Sequence, residues 1–301
     1  VPKGELIVET RGKISAKNMR SYTSRHPIDT QLPVAVLIDG SSASASEITA
    51  GSLQDLDRAV VIGNRSYGKG LVQNILPMNY NTQMKITVSK YFIPSGRCIQ
   101  AIDYGHRDSL GHAQKVPDSL KTAFQTRAGR TVYDGFGIEP DVEVKQEYMS
   151  VLAMELLGRQ YIFEYATRFY RTHPQIDSAE QFEVTDAIYD DFKRFLSGKD
   201  YSYNTATEHL LKELREVAKQ EDYLASIEDE IVRLEEKFKA DKLTDLDKHR
   251  DEIADMLKSE ILMRYYYDRG RLQGALKNDP CVRKAIEVLG DKELYKKLLS
   301  K

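Results

Sequence analysis

The sequence of 301 residues has room for one large domain or two of ordinary size. Apolar residues make up 41% and charged residues 30%, which allows a sizeable buried core. The formal net charge is only -2, and neither half of the chain has the strongly basic excess expected of a nucleic-acid binder. No stretch approaches the roughly 18–20 consecutive apolar residues that span a bilayer. We therefore expect neither a nucleic-acid partner nor a transmembrane span.

The pattern of the first half of the chain predicts an α/β fold. Apolar or alternating runs of strand length occur at residues 4–10, 33–39, 59–63, 71–78 and 84–92. Between the second and third runs, the segment SASASEITAGSLQDLD has apolar residues at helical spacing after a serine-rich start, which favours an N-capped helix. This order of strand, turn, helix and strand predicts an open-sheet α/β core, in which sites collect at the carboxyl ends of strands.

The second half changes character at about residue 146, where glycine becomes rare and helical spacing dominates. Apolar residues recur every three or four positions from Leu210 to Phe238, which predicts one amphipathic helix. A second helix is predicted from Asp251 to Tyr267, and a last one after Pro280. We therefore predict two domains, an α/β core over 1–145 and an all-helical domain of several antiparallel helices over 146–301.

Ser44 is the first candidate for chemistry. It lies in the run SSASASE, directly after a predicted strand and at the start of the predicted helix. The backbone N–H of Ala45 and the positive end of the helix could stabilise an oxyanion there. The structural alternative is that these serines only cap the helix.

Lys69, in the segment Gly68-Lys69-Gly70, is the second candidate. A lysine in water is protonated at neutral pH, and burial in an apolar site can leave it neutral enough to act as a base. A solvated turn is the structural alternative. A phosphate loop is excluded, because Gly70 stands where Ser or Thr must bind magnesium and a strand, not a helix, is predicted to follow.

Three histidines, His26, His106 and His112, lie in polar, loop-like contexts and could serve a Ser–His hydrolase of small esters. Lone loop histidines are usually solvated, so lysine is the better candidate for the base. The two cysteines, Cys98 and Cys281, form neither a disulfide framework nor a metal-ligand pattern, and a bridge between them stays open. We predict no metal and no cofactor.

The segments SASASEITAGSLQDLDRAVVIGNRSYGKGLVQ, KYFIPSGRCIQ and DGFGIEPDV follow one another in an order and spacing that resemble the carboxyl-terminal processing (tail-specific) serine peptidases. The resemblance covers about residues 1–145. It implies that Ser44 is the nucleophile, Lys69 the general base, Gln73 the residue that orients the lysine, and the Ala45 N–H one oxyanion donor.

Two acidic residues of the same motifs are expected to support the site. Asp55 lies eleven residues after Ser44, about 16 Å along a regular helix, so it cannot touch the nucleophile. We expect it to bond the strand that follows the helix. Glu47 lies nearer to Ser44 and could complement the helix dipole.

The resemblance implies a serine endopeptidase that cleaves proteins near their carboxyl termini. It also implies a PDZ domain and a second oxyanion donor upstream of Val1, and a periplasmic or otherwise extracytoplasmic location, with an anchor in the missing N-terminal segment. The alternative function is a catalytically silent binding or assembly subunit. Protein or peptide substrates, and a homo-oligomer formed through the helical domain, are the expected partners.

Overall fold

The computed structural model describes residues 1–145, 149–242 and 244–300. The strands are β1 (Leu6–Gly12), β2 (Met19–Tyr22), β3 (Ala35–Ile38), β4 (Val60–Gly63), β5 (Leu71–Pro77), β6 (Gln83–Phe92), β7 (Ile102–Arg107), β8 (Ala113–Lys115), β9 (Ala123–Gln125), β10 (Thr131–Tyr133) and β11 (Val142–Glu143). The helices are α1 (Ala45–Asp55), α2 (Val151–Gly158), α3 (Tyr161–Thr172), α4 (Asp186–Leu196), α5 (Ala206–Gln220), α6 (Leu224–Lys242), α7 (Asp245–Lys248), α8 (Arg250–Leu276), α9 (Pro280–Gly290) and α10 (Lys292–Leu299). The predicted fold class, a strand-containing core followed by helices, is confirmed.

The chain divides into two compact units, Val1–Gln146 together with Pro280–Lys301, and Glu147–Asp279. The predicted boundary at 145/146 falls next to residues 146–148, which lie outside the described residues. The far end of the predicted helical domain differs from the structure, since the last two helices belong to the first unit. The reason is packing, because Ala285 and Val288 of α9 bury against Val60 and Ile62 of β4.

A small parallel sheet, in the order β11-β4-β3, positions the candidate site in the first unit. Alternate residues of a strand face opposite sides of a sheet, so β4 is covered on both faces. Val61 faces α1 and packs with Ile38 and Ala50. Its neighbours Val60 and Ile62 face α9. A four-stranded antiparallel sheet, in the order β2-β1-β6-β5, and the hairpins β7–β8 and β9–β10 complete the unit.

Helix α10 is tied to the same sheet by a partly buried hydrogen bond. The Tyr295 hydroxyl accepts a hydrogen bond from the Val34 N–H at 2.9 Å, just before β3. We expect Tyr295→Phe to lower the free energy of unfolding by about 1 kcal/mol, because the Val34 donor loses its partner. Urea denaturation and hydrogen exchange at the Val34 amide measure the change. Tyr80→Phe is the matched control, since Tyr80 is 97% exposed, and an equal effect in both variants would contradict the prediction.

Helices are the regular secondary structure of the second unit in its described residues, and its core is rich in aromatic side chains such as Tyr165, Phe169 and Phe192. The single helix predicted from Leu210 to Phe238 is wrong. The segment forms α5 and α6, which are separated by a turn in which Asp222 takes a positive φ of 60°. The last predicted helix is likewise two, α9 and α10. Within the described ranges, none of the helices combines the length and apolarity needed to cross a bilayer.

Candidate active site

The candidate nucleophile lies in a strained turn between β3 and α1. Ser44 immediately precedes the helix and has φ 57° and ψ -113°, a backbone conformation that non-glycine residues rarely adopt. Strained residues of this kind concentrate at functional sites, where the surrounding structure holds them. The turn before it is held by Asp39, whose carboxylate accepts hydrogen bonds from Ser41 and Ser42. These hydrogen bonds lower the pKa of the Asp39 carboxyl.

Ala45 begins α1, so its N–H has no partner within the helix. Among the described residues no acceptor binds this N–H, and Ala45 is exposed. The group is therefore available to an oxygen that develops negative charge beside Ser44.

Glu47 is the residue that joins the two candidate segments. Its side chain is fully buried, and one of its oxygens, Oε2, accepts hydrogen bonds from the Ser44 N–H and the Lys69 N–H, each at 2.8 Å. The other oxygen, Oε1, accepts from the Gly68 N–H at 2.6 Å and the Ser66 hydroxyl at 2.5 Å. A single carboxylate thus holds the backbone of the proposed nucleophile and that of the proposed base together. From the sequence alone, Glu47 was expected only to complement the dipole of the helix.

The segment that carries Lys69 packs closely against residues 100 and 101. A Cβ on Gly68 would lie 2.2 Å from the Ala101 Cβ, and Gly68 has φ 86°. A Cβ on Gly70 would lie 2.6 Å from the Gln100 N. The Gly70 N–H also donates to Gln100 Oε1 at 2.8 Å. The two glycines beside Lys69 are therefore required by close backbone approach, and a strand, β5, follows them as predicted.

The Lys69 side chain is exposed, which differs from the buried environment expected for a lysine base. Within residues 1–145, 149–242 and 244–300 its amine has no hydrogen-bond or ion-pair partner. Gln73 is also exposed, and its amide nitrogen lies 3.4 Å from Thr87 Oγ1 rather than in contact with Lys69. The orienting role of Gln73 stays a prediction.

Asp55 is at the far end of α1 and is buried, as its position in the helix predicts. The expected contact with the strand that follows is wrong. Asp55 instead accepts from the Ser95 N–H at 2.9 Å and pairs with Arg97 at 2.9 Å, both in the turn after β6. Burial raises the pKa of the Asp55 carboxyl even though the guanidinium of Arg97 is adjacent. Asp55 therefore fixes a turn and does not reach Ser44.

The three histidines are exposed. The His106 ring pairs with Asp103 at 2.7 Å, which raises the pKa of His106. The His112 ring lies 3.4 Å from Asp108. In the described part of the chain, none of the three histidines hydrogen-bonds to Ser44.

A cleft of about 780 Å³ opens beside Lys69 and is here called the Lys69 cleft. Its lining includes Lys69, Leu71, Gln73, Lys90, Ile102 and Val116. The volume is within the range of about 300–1,000 Å³ that is typical of ligand pockets. Ser44 is not one of the lining residues, so the cleft extends from the lysine and not from the serine.

Comparison with known sequences supports the predicted resemblance. Residues 1–105 match the family described as peptidase family S41. Residues 152–289 match a family described as the C-terminal helical domain of a probable PDZ-protease. The end of that second match, from Pro280, lies in α9, which packs with the first unit.

Individual relatives are described as carboxyl-terminal processing proteases or peptidases. A carboxy-terminal-processing protease of Bartonella bacilliformis is 44% identical over 40% of this chain and 27% of its own length. Carboxyl-terminal-processing peptidase 3, chloroplastic, of Arabidopsis thaliana is 48% identical over 30% of this chain and 17% of its own length. A solved structure of a photosystem II D1 C-terminal processing protease aligns with a TM-score of 0.34 and 25% identity, over 48% of this chain and 28% of that one. The chain spans less than a third of the length of these relatives.

Proposed function

We propose that this chain, whose residues 1–105 match peptidase family S41, is the nucleophile-bearing part of a serine endopeptidase with a Ser44–Lys69 dyad. The observation that carries the proposal is the Glu47 carboxylate, whose Oε2 accepts from both the Ser44 N–H and the Lys69 N–H. Two segments 25 positions apart in sequence are thereby fixed next to each other. Further support comes from the strained backbone of Ser44 and from the Ala45 N–H, which no acceptor binds among the described residues.

In the proposed reaction, the neutral amine of Lys69 takes the proton of the Ser44 hydroxyl as Oγ attacks a peptide carbonyl carbon. The Ala45 N–H donates to the resulting oxyanion. Lys69 then gives the proton to the leaving amine as the C–N bond breaks. A water molecule, deprotonated by the same amine, hydrolyses the acyl-enzyme and restores Ser44. Because Lys69 is exposed without substrate, the proposal requires the bound polypeptide to exclude water from its amine.

The test is mass spectrometry of an unstructured protein with an apolar carboxyl-terminal tail, incubated with this chain and with a form extended upstream. We expect cleavage near the tail, and no cleavage by Ser44→Ala or Lys69→Ala. Lys69→Arg should be equally inactive, because a guanidinium stays protonated. Lys85→Ala, which replaces an exposed lysine on β6 outside the cleft lining, is the matched control and should retain full activity.

Cleavage by the extended form alone would show that upstream residues complete the site. Cleavage by Lys69→Ala at an undiminished rate would exclude Lys69 as the base. Loss of activity on replacing His26, His106 or His112, with Lys69→Ala active, would point to the Ser–His hydrolase instead.

A catalytically silent binding or assembly subunit is the second candidate. The exposed position of Lys69 favours it, because a lysine that acts as a base is expected in a buried, apolar environment. Specific binding of the apolar-tailed protein, without cleavage by either the chain or its extended form, would establish this function.

Three wider features of the full-length protein are also proposed. The description of the helical match supports a PDZ domain elsewhere in the protein. The bacterial and chloroplast relatives support an extracytoplasmic location. Exposed apolar side chains along α5, Leu210, Leu214 and Val217, support oligomer formation through the helical unit.

A further inference from the structure

The hairpin formed by β5 and β6 leaves its apolar side chains in water. Every residue from Gln73 to Val88 is exposed. The large apolar side chains among them are Ile75, Leu76, Met78, Tyr80, Met84, Ile86 and Val88. They follow one another along both strands and around the turn, so they form a continuous group and not scattered single residues. Exposed apolar surface of this kind usually belongs to an interaction site.

The turn of the hairpin presents an aromatic ring at its tip. The Met78 N–H donates to the Thr82 carbonyl oxygen at 2.9 Å and closes the turn. Tyr80 and Asn81 within it have φ values of 59° and 56°, which are uncommon for residues other than glycine. The Tyr80 side chain is 97% exposed. A tyrosine has an apolar ring and a polar hydroxyl, a combination that is enriched where a membrane meets water.

The charge around the hairpin has a single sign. From Arg58 to Ile102 the sequence contains six lysines and arginines and no aspartate or glutamate. The whole chain has a formal net charge of -2, so this positive charge is a local excess. Lys85 lies on the exposed part of β6, and no carboxylate of the described residues is within ion-pairing distance of it.

The connection between β1 and β2 adds cations at the same end of the sheet. Strand β1 is antiparallel to β6, with Gly12 opposite Ser89, so β1 ends on the side toward which the hairpin projects. Lys13 and Lys17 in this connection are exposed, and among the described residues neither pairs with a carboxylate. Ile14 between them is 60% exposed.

Apolar side chains together with unpaired cations fit the surface of an anionic lipid bilayer. Apolar groups can enter the boundary between headgroups and acyl chains, while lysines are attracted to the negative surface. A second copy of the chain would bring the same unpaired cations together, and like charges repel. A nucleic acid would bind the cations through its phosphates but would leave the apolar side chains in water.

We propose that the β5–β6 hairpin docks on the surface of an anionic lipid bilayer. Met78 and Tyr80 enter the boundary between headgroups and acyl chains. Lys85, with Lys13 and Lys17 of the neighbouring connection, faces the headgroups. The docking is peripheral, and it does not depend on the reaction proposed for Ser44 and Lys69.

The test uses a fluorescent reporter at the hairpin tip. The chain contains no tryptophan, so Tyr80→Trp gives a single tryptophan signal from the turn. Ile286→Trp is the matched control, because Ile286 is 66% exposed on α9, outside the hairpin. Each protein is mixed with vesicles of phosphatidylcholine alone, and with vesicles of phosphatidylcholine and phosphatidylglycerol in equal parts. Co-sedimentation with the vesicles measures the affinity of the unmodified chain and of its variants.

The emission of Tyr80→Trp should shift to shorter wavelength with the anionic vesicles, whereas that of Ile286→Trp should not change. The unmodified chain should bind anionic vesicles at least about tenfold more tightly than neutral ones, and Lys85→Glu should weaken this binding at least about fivefold. Met78→Ser should weaken it about tenfold, because an apolar side chain no longer leaves water. Ile286→Ser should have no effect.

The proposal is overturned if the chain binds no vesicles, if it binds neutral and anionic vesicles equally, or if the emission of Tyr80→Trp does not shift. Polyglutamate is the competitor for the alternative partner, an acidic protein. If polyglutamate displaces the vesicles and Met78→Ser binds as tightly as the unmodified chain, the surface serves an acidic protein and the proposal also fails. Cleavage without vesicle binding would refute this inference alone, and vesicle binding without cleavage would refute the proposed peptidase alone.

Discussion

Replacement of Glu47 by Gln should reduce kcat at least 100-fold while KM changes by less than about threefold. A glutamine has the shape of glutamate but only one acceptor oxygen, and its NH₂ group is a donor. In one orientation this NH₂ faces the Ser44 and Lys69 N–H groups, and in the other it faces the Gly68 N–H, so a donor meets a donor in both. The segment opposite the NH₂ must move, and a displacement of about 1 Å at a reacting group can cost roughly 100-fold in rate.

The measurement is steady-state kinetics on the form that cleaves, at a temperature where circular dichroism shows both proteins folded. Glu139→Gln is the matched control, because Glu139 pairs with Arg65 at 2.5 Å on an exposed part of the first unit. A purely structural role for Glu47 would lower the unfolding temperature and leave kcat of the folded enzyme unchanged. That result would contradict a positioning role.

Replacement of Asp55 by Ala should lower the free energy of unfolding by about 3–5 kcal/mol. The Asp55 and Arg97 side chains are only 0% and 2% exposed, so the variant leaves a guanidinium buried without its carboxylate. The Ser95 N–H loses its acceptor as well. Urea denaturation followed by far-ultraviolet circular dichroism measures the loss.

Two further variants test whether the unpaired buried charge is the cause of the lost stability. Asp55→Leu combined with Arg97→Met removes both charges and should recover most of the stability, because no unpaired charge remains. Glu139→Ala breaks an ion pair whose side chains are 38% and 49% exposed and should cost less than about 1 kcal/mol. Equal losses in Asp55→Ala and Glu139→Ala would mean that burial of the pair has no energetic consequence.

The strands of the first unit could be predicted because each is a short, continuous run of apolar residues. Val60–Gly63 and Leu71–Pro77 lie within the predicted 59–63 and 71–78.

The prediction of a single helix from Leu210 to Phe238 was wrong for a physical reason. Helical spacing continues through α5 and α6, but the reversal between them depends on the positive φ of Asp222 and on packing between the two helices.

Within the candidate site, the resemblance implied Ser44 and Lys69 as the reacting residues, whereas the contacts that hold their backbones were not predictable. Glu47 binds groups 19 to 22 positions away, at Ser66, Gly68 and Lys69. The Asp55–Arg97 pair likewise joins residues distant in sequence. Such contacts depend on how β4 and α1 bring loops together, and no local pattern encodes that approach.

The return of α9 and α10 to the first unit has a consequence for biosynthesis. On the ribosome, β3 and β4 emerge early, but the apolar side chains of Val60 and Ile62 are covered by helices that are synthesised only after Glu147–Asp279. Domains generally fold in the order of their synthesis, and exposed apolar surface attracts other chains meanwhile. One face of the parallel sheet in the first unit therefore stays uncovered until the whole helical unit has been translated. Premature termination within the helical unit would release a chain prone to aggregation.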